Sequence, residues 1–304
     1  MKISIDKSSG FCWGVVRTVD IAEEQLQKHG KVYCLGDIIH NPIEIERLAN
    51  LGLITITHSD LDNLPKGSVV LIRAHGEPPE VYKKIEHLKL VLVDATCPVV
   101  TKVQERIKKF YDNGYQIVIF GKKDHPETIG LNGVTNYTSI VIKSIEEAEE
   151  KVNFDKNTVL FSQTTMDKDG FYKIVNYLKE KIKNLIVDSS ENVAKEFLAK
   201  DTICGQVSGR DKKIIEFAQS NDLIFFVAGK KSSNGKVLFD LVKNANNNSY
   251  FIERFEDINF DSLYKNLKNV ENIGITGATS TPMWLMEEVK NKLEQNLKNV
   301  GVVS

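Results

Sequence analysis

Residues 97–127 read CPVVTKVQERIKKFYDNGYQIVIFGKKDHPE: a cysteine, an amphipathic stretch, an apolar run and then a histidine. This order is typical of a helix followed by a buried parallel strand, with Gly114 as the helix stop. His125 lies 28 residues after Cys97 (125 − 97 = 28). The stretch therefore predicts an α/β unit with polar side chains at the carboxyl end of a strand.

The same pattern occurs twice more in the chain. His40 follows Cys12 by 28 residues (40 − 12), and Ser232 follows Cys204 by 28 residues (232 − 204). Each interval contains a polar amphipathic stretch and then an apolar run, KVYCLG in the first case and LIFFVAG in the second. A repeat of this kind predicts three similar units whose loops share one centre.

The alternation of helices and short apolar strands predicts an α/β fold with small, mostly parallel sheets flanked by helices. We expect three pseudo-threefold-related units, residues 13–96, 97–200 and 201–304, arranged as a trefoil around the shared centre. The third unit lacks a closing strand after its last helix, and we expect residues 1–12 to supply it. Residues 188–200 have no counterpart in the first unit, and we expect a surface excursion there.

Charge and hydropathy exclude several classes of partner. The 304-residue chain carries 40 Lys and Arg against 41 Asp and Glu, so it lacks the broad positive field that favours nucleic acid or an anionic membrane. The N-terminus has no apolar signal core, and the longest apolar runs are far shorter than a membrane span. We therefore expect a soluble cytoplasmic protein that binds neither nucleic acid nor membranes.

The four cysteines are too widely spaced for a CxxC zinc ribbon, and a reducing compartment does not favour disulfides. A single cysteine is more often a small buried hydrophobe than a ligand. The repeat favours metal coordination by Cys12, Cys97 and Cys204, whereas Cys34 lies inside a strand-like run and is assigned to the core. Three thiolates suit an iron–sulfur cluster or a catalytic zinc ion, either of which keeps one coordination position open.

Polar loops are predicted to follow the ends of the remaining strands. Taken singly, a Ser, Thr or Asn there is more often a helix cap. A single histidine is more often a partly buried ring whose hydrogen bonds are made within the protein. Together they offer donors suited to a small anion with several acceptor oxygens, such as a diphosphate. Glu127, the one carboxylate among them, is the candidate proton donor, although the helix dipole alone also favours a glutamate at a helix start. The candidates are His40, His75, His125, Glu127, Thr164, Thr165, Ser232, Ser233, Asn234 and Ser280.

Motifs around these residues occur in one order along almost the entire chain. The two most specific are VDATCPVVTKV around Cys97 and RAHGEPP around His75. The others are FCWGV, IIHNP, HPETIG, SQTT, DTIC, SSN and GATSTP. Together they resemble the LytB (IspH) family of 4-hydroxy-3-methylbut-2-enyl diphosphate reductases. The resemblance implies a trefoil around one 4Fe-4S cluster, held by Cys12, Cys97 and Cys204, with one iron left open to the substrate hydroxyl.

The resemblance also implies a reaction and the residues that perform it. Two electrons and protons remove the allylic hydroxyl of (E)-4-hydroxy-3-methylbut-2-enyl diphosphate, the last step of the non-mevalonate isoprenoid pathway, and a ferredoxin or flavodoxin supplies the electrons. Glu127 delivers the proton, with Thr165 beside the hydroxyl and His125 assisting; whether Thr164 or Thr165 faces the substrate stays open. The implied substrate ligands are His40, His75, His125, Thr165, Ser232, Ser233, Asn234 and Ser280. The resemblance is consistent with either a monomer or a homodimer.

The main alternative is an iron–sulfur sensor or electron carrier without substrate turnover. That hypothesis accounts for the three cysteines but gives no role to the histidine, serine, asparagine and glutamate loops. A zinc enzyme that hydrolyses a phosphate ester is a third hypothesis, because the same cysteines would suit zinc with a bound water. Inorganic sulfide in the purified protein would exclude the zinc enzyme.

Overall fold

The computed structural model describes residues 1–188, 196–267 and 270–299. Within these residues, three four-stranded sheets with parallel ladders are flanked by helices. The predicted α/β class is therefore confirmed. The arrangement of the three sheets around a shared centre stays a prediction.

The strands are short. In chain order they are β1 (Lys2–Ile5), β2 (Val32–Leu35), β3 (Leu53–Ile56), β4 (Val69–Ile72), β5 (Val91–Asp94), β6 (Gln116–Phe120), β7 (Ile140–Ile142), β8 (Thr158–Ser162), β9 (Phe197–Ala199), β10 (Leu223–Val227), β11 (Ser249–Ile252) and β12 (Asn272–Gly277).

Helices alternate with these strands, and none in the described ranges is long and apolar enough to cross a membrane. The helices are α1 (Trp13–His29), α2 (Pro42–Asn50), α3 (Pro79–His87), α4 (Pro98–Asp112), α5 (Pro126–Gly133), α6 (Ile145–Lys151), α7 (Lys168–Asp188), α8 (Gly205–Ser208), α9 (Asp211–Gln219), α10 (Ser233–Ala245), α11 (Phe260–Asn266) and α12 (Met283–Asn299). Short 3₁₀ turns occur at Leu61–Asn63 and Phe255–Asp257.

The three sheets share one strand order. They read β3-β2-β4-β5, β7-β6-β8-β9 and β11-β10-β12-β1. In the third sheet β1 therefore takes the edge position that β5 and β9 take in the other two. It pairs in parallel with β12, from Lys2 opposite Asn272 to Ile5 opposite Ile275. The prediction that the N-terminal residues supply the missing strand is confirmed.

Four of the six inner strands, β4, β6, β8 and β10, are largely apolar runs and are almost entirely buried. Such runs are typical of parallel strands that are covered by helices on both faces. Cys34, in β2, is completely buried. Its predicted assignment to the core is confirmed.

Packing groups the chain into two compact units, each of which is described by itself. The first unit comprises Met1–Glu23, Asp37–Leu53 and Gly205–Ser304, and the second comprises Glu24–Gly36 and Ile54–Cys204. The third sheet lies in the first unit, and the second sheet lies in the second unit. The division into three units at residues 13–96, 97–200 and 201–304 stays a proposal.

Part of the segment 188–200 forms the edge strand β9. Phe197, Leu198 and Ala199 pair in parallel with the first three residues of β8. This strand is the counterpart of β5, so the expectation of a surface excursion is wrong for these three residues. Residues 189–195 lie outside the described residues.

Candidate functional site

The three candidate metal ligands lie at strand-to-helix junctions. Cys12 immediately precedes α1, Cys97 is the N-cap of α4, and Cys204 immediately precedes α8. Each is partly buried, whereas Cys34 is completely buried. The free N–H groups and the dipole of a helix N-terminus favour negatively charged groups nearby.

Equivalent backbone hydrogen bonds fix the three cysteines. In each case the cysteine N–H donates to a carbonyl at the carboxyl end of a strand within its own unit. The three bonds are Cys97 to Ala74 at 3.0 Å, Cys204 to Thr164 at 2.9 Å and Cys12 to Thr279 at 3.2 Å. The residues that directly follow these acceptors are His75, Thr165 and Ser280. In each repeat, the carbonyl that anchors the candidate cysteine therefore belongs to the residue directly before a candidate substrate-binding residue.

Glu127 lies in the first turn of α5 and is 1 % exposed. One carboxylate oxygen accepts the Thr164 N–H at 2.7 Å, and the other accepts the Thr164 hydroxyl at 2.7 Å. Burial raises the pKa of Glu127 from 4.5 to about 7, although both hydrogen bonds favour the carboxylate. Near neutral pH this side chain therefore exists in both protonation states, as a proton donor requires.

His125 is the N-cap of the helix that carries Glu127. The Glu127 N–H donates to Nδ1 of His125 at 3.2 Å, so the neutral ring carries its hydrogen on Nε2. The His125 ring meets the His75 ring edge-on, with 5.3 Å between the centroids and 88° between the planes. The second unit thus brings His75, His125, Glu127 and Thr164 into one connected group.

The two threonines of the SQTT motif have different partners. Thr164 is 6 % exposed and supports Glu127 with its side chain and Cys204 with its carbonyl. The Thr165 hydroxyl accepts a hydrogen bond from Nε2 of Gln163 at 2.6 Å and keeps its own hydrogen for donation. Thr165 is also the more exposed of the two. The sequence left the choice between them open, and these contacts favour Thr165 as the residue that faces a ligand.

Candidates after β10 and β12 lie together in the first unit. Ser232 caps α10 by accepting the Gly235 N–H at 3.0 Å, and the Ser280 hydroxyl donates to Oγ of Ser232 at 3.3 Å. Oδ1 of Asn234 accepts the N–H and the hydroxyl of Thr279 at 3.0 and 2.8 Å. These bonds join the two loops into one polar surface that also contains the buried Ser233.

The Asn234 amide is oriented by these contacts. Because Oδ1 accepts from Thr279, the Nδ2 hydrogens point away from that residue. Nδ2 is buried and has no hydrogen-bond partner among the described residues. A buried donor left without a partner costs about 1–3 kcal/mol. The site therefore presents an oriented N–H donor that an anionic oxygen would satisfy.

His40 is held against the same loops by a close backbone contact. A β-carbon on Gly229 would lie 2.3 Å from the His40 carbonyl oxygen and 3.1 Å from Cδ of Pro42. Only glycine permits this approach. The first unit therefore brings together His40, Ser232, Ser233, Asn234 and Ser280.

We expect Gly229→Ala to weaken the binding of inorganic diphosphate. The added methyl group must displace the His40 carbonyl, and overpacking of this kind costs about 1–3 kcal/mol. Isothermal titration calorimetry would show a Kd raised by about tenfold, which corresponds to about 1.4 kcal/mol, in the lower part of that range. A Kd and a melting temperature that both equal the wild-type values would contradict the close contact.

One residue beside these loops was not among the candidates from the sequence. Asn41 is the N-cap of α2, where its Oδ1 accepts the N–H groups of Ile43 and Glu44 at 3.1 and 3.3 Å. The Asn-Pro pair was the available signal, since an Asn before a proline is typical of a helix start.

Similar proteins were found by sequence and by structure. The LytB protein family matches residues 3–294. The 4-hydroxy-3-methylbut-2-enyl diphosphate reductase of Chloroherpeton thalassium is 47% identical over 306 residues, covering 95% of this chain and 95% of the relative. Two solved structures are also similar.

The first solved structure is described as (E)-4-hydroxy-3-methyl-but-2-enyl diphosphate reductase, the terminal enzyme of the non-mevalonate pathway. It has a TM-score of 0.72 and 34% identity, covering 96% of this chain and 99% of that one. The second, E-1-hydroxy-2-methyl-but-2-enyl-4-diphosphate reductase from Plasmodium falciparum, has a TM-score of 0.81 and 28% identity, covering 96% and 87%. The motifs occur in order, the structure forms two groups of polar side chains, and the matches cover nearly the whole length. The chain therefore belongs to the LytB protein family.

Proposed function

We propose that this chain is a 4-hydroxy-3-methylbut-2-enyl diphosphate reductase. The reaction takes two electrons and two protons, breaks the allylic carbon–oxygen bond, and yields water with isopentenyl or dimethylallyl diphosphate. Relatives named for this activity align with almost the whole chain. The observation that carries the proposal is the buried Glu127–Thr164 pair, because it supplies a carboxyl group that is partly protonated near neutral pH.

The proposed cofactor is one 4Fe-4S cluster held by Cys12, Cys97 and Cys204. The residues present fit such a group, because all three thiols are partly buried, lie at helix N-termini and have the same backbone anchor. When bound, the cluster supplies single electrons and, at the iron without a cysteine ligand, a Lewis acid for the substrate hydroxyl. A ferredoxin or flavodoxin is the proposed electron donor.

The first unit supplies most of the proposed diphosphate site. Its hydroxyl, amide and imidazole groups are hydrogen-bond donors, and the Asn234 Nδ2 group lacks a partner among the described residues. Donors of this kind form their strongest hydrogen bonds with charged phosphate oxygens. The proposed substrate-binding residues are His40, His75, His125, Thr165, Ser232, Ser233, Asn234 and Ser280.

Glu127 is the proposed proton donor to the leaving hydroxyl. Thr164 fixes both carboxylate oxygens, so the proton is offered from a defined position. The Thr165 hydroxyl has a free hydrogen after accepting from Gln163, and we assign it to holding the substrate hydroxyl beside Glu127. His125, with its hydrogen on Nε2, assists at the same position.

We expect kcat to fall as pH rises above about 7. The acid form of Glu127 is the active one, and with a pKa of about 7 its population falls roughly tenfold for each pH unit above that value. The decrease should appear in kcat measured anaerobically between about pH 6 and pH 9, and it should be absent from the residual rate of Glu127→Gln. A wild-type kcat that stays constant or rises over this range would contradict the assignment.

An electron carrier or sensor is the competing function. It would leave the oriented Asn234 amide and the Glu127–Thr164 pair without a role, so the structure favours the reductase. The decisive experiment adds the allylic diphosphate and a reduced one-electron donor to anaerobically reconstituted protein and separates the products. A reductase forms both isoprenoid diphosphates, whereas a carrier exchanges electrons with the donor and forms neither.

A further inference from the structure

We propose that Asn41 is a further diphosphate-binding residue, which donates a hydrogen bond from its Nδ2 to a phosphate oxygen. The inference rests on the proposed function, because it places Asn41 beside ligands of the same substrate. Asn41 directly follows His40 and directly precedes α2. It is 1 % exposed, which is unusual for an asparagine at a helix start.

The orientation of the Asn41 amide is fixed by its role as a cap. Oδ1 accepts the N–H groups of Ile43 and Glu44, at 3.1 and 3.3 Å. In the reversed orientation the NH₂ group would face those two N–H groups, and donors cannot hydrogen-bond to each other. The reversed orientation is therefore excluded. Nδ2 must then point away from the helix, and it is buried with no hydrogen-bond partner among the described residues.

Asn41 and Asn234 share this arrangement within the first unit. In both, the side-chain oxygen is occupied by backbone N–H groups of the chain and the buried amide nitrogen has no partner in the described ranges. A buried donor of this kind is unfavourable unless a ligand accepts from it. The protein therefore presents two fixed amide donors of the same type.

The loop that contains Asn41 lies against the loop that leads to the predicted diphosphate ligands. The residues on either side of Asn41 contact Gly229, since a β-carbon there would lie 2.3 Å from the His40 carbonyl oxygen and 3.1 Å from Pro42 Cδ. The Gly229 carbonyl in turn accepts the Ser232 N–H at 2.9 Å. Asn41 is thus one contact away from Ser232, the cap of α10.

Position in the repeat supports the same conclusion. Asn41 caps α2, as His125 caps α5 and Ser232 caps α10. In the two other repeats the N-cap residue is itself a predicted substrate ligand. If His40 were the only ligand in this loop, the first repeat would be the one repeat whose N-cap residue does not bind the substrate. With Asn41 as a ligand, all three repeats follow the same rule.

The carboxylate in the first turn of α2, that of Glu44, is held by other side chains. Glu44 is 1 % exposed, and its oxygens accept hydrogen bonds from Arg47 at 2.6 and 2.9 Å and from the Trp284 indole at 2.9 Å. The guanidinium group of Arg47, which also donates to Glu23, partly offsets the charge of Glu44. The N-terminus of α2 is the positive end of its helix dipole, which favours a bound phosphate.

Two substitutions separate ligand binding from helix capping. Asn41→Ser and Asn41→Asp both keep a good N-cap acceptor, so neither should lower the melting temperature by more than a few degrees. Asn41→Ser removes the donor, and we expect the Kd of inorganic diphosphate, measured by calorimetry on the holoprotein, to rise on the order of tenfold. Asn41→Asp replaces the donor with a negative charge, and we expect a rise of about a hundredfold or more.

Each outcome decides the assignment. A wild-type Kd in both variants would overturn it, and so would weak binding that appears only together with a large loss of thermal stability. Failure of wild-type protein to bind inorganic diphosphate would also overturn it. Turnover of the allylic substrate is measured in parallel: a wild type that binds diphosphate in an Asn41-dependent way but forms no product would contradict the proposed reaction alone.

Discussion

Glu127→Gln is expected to lower kcat by on the order of 10²- to 10⁴-fold, the range that a positioned general acid contributes. The amide has the size of the carboxyl group and can still accept from Thr164, but it has no acidic proton to give. Because Glu127 is buried in the second unit and its removal leaves the cysteines unchanged, cluster content should equal that of the wild type. Steady-state kinetics under anaerobic conditions measure the loss.

The matched control is Glu149→Gln, the same change at an exposed carboxylate that pairs with Lys181. Exposed ion pairs contribute little, so its kcat and stability should stay close to wild-type values. Iron content, diphosphate affinity and kcat of the two variants are compared side by side. A Glu127→Gln protein with wild-type kcat would remove Glu127 from the mechanism.

Cys97→Ser is expected to lose most of the bound iron and sulfide and to lower turnover on the order of 10³-fold or more, since the electron chemistry belongs to the cofactor. A serine hydroxyl is a poor substitute for a thiolate towards iron. It is nevertheless a good N-cap, so α4 should keep its stability when Ser replaces the N-cap Cys97. Metal analysis and the visible absorption of the reconstituted variant measure the effect.

Cys34→Ala is the control for this experiment. Cys34 is completely buried in β2, and its removal should cost about 1 kcal/mol of stability without changing the iron content. If Cys97→Ser and Cys34→Ala retain iron equally well, the assignment of Cys97 as a ligand is wrong.

Loop positions were predictable from the sequence because the repeat fixes them. Each apolar inner strand ends in a polar loop, and ligands bind beyond the carboxyl ends of parallel strands. The interval of 28 residues therefore located Cys97 with His125, and Cys204 with Ser232, without knowledge of the fold. The closing strand β1 followed from the same repeat, since the last unit lacked its edge strand.

Four of the six edge strands, β3, β7, β9 and β11, were not predicted from the sequence. Their sequences are mostly apolar, as in LITI of β3 and IVI of β7, but they span only three or four residues. Apolar runs of this length do not distinguish a strand from other buried segments by their periodicity.

The fine structure of the candidate site also depends on tertiary contacts. Whether Thr164 or Thr165 supports Glu127 depends on which side chain the turn after β8 directs inward, and the motif SQTT contains both. In the sequence, the Asn41-Pro42 pair marks no more than a helix start, and only the burial of Asn41 and its Nδ2 group without a partner in the described residues distinguish it. The sequence identifies residue types and spacing, whereas three-dimensional packing decides their partners.

The most direct test of the central claim is the Mössbauer spectrum of ⁵⁷Fe-loaded wild-type protein before and after addition of the allylic diphosphate. Three cysteine ligands leave one iron of a 4Fe-4S cluster accessible, so about one quarter of the iron signal should change when the substrate binds. A spectrum that stays unchanged at saturating substrate, or the absence of cluster iron, would contradict the account.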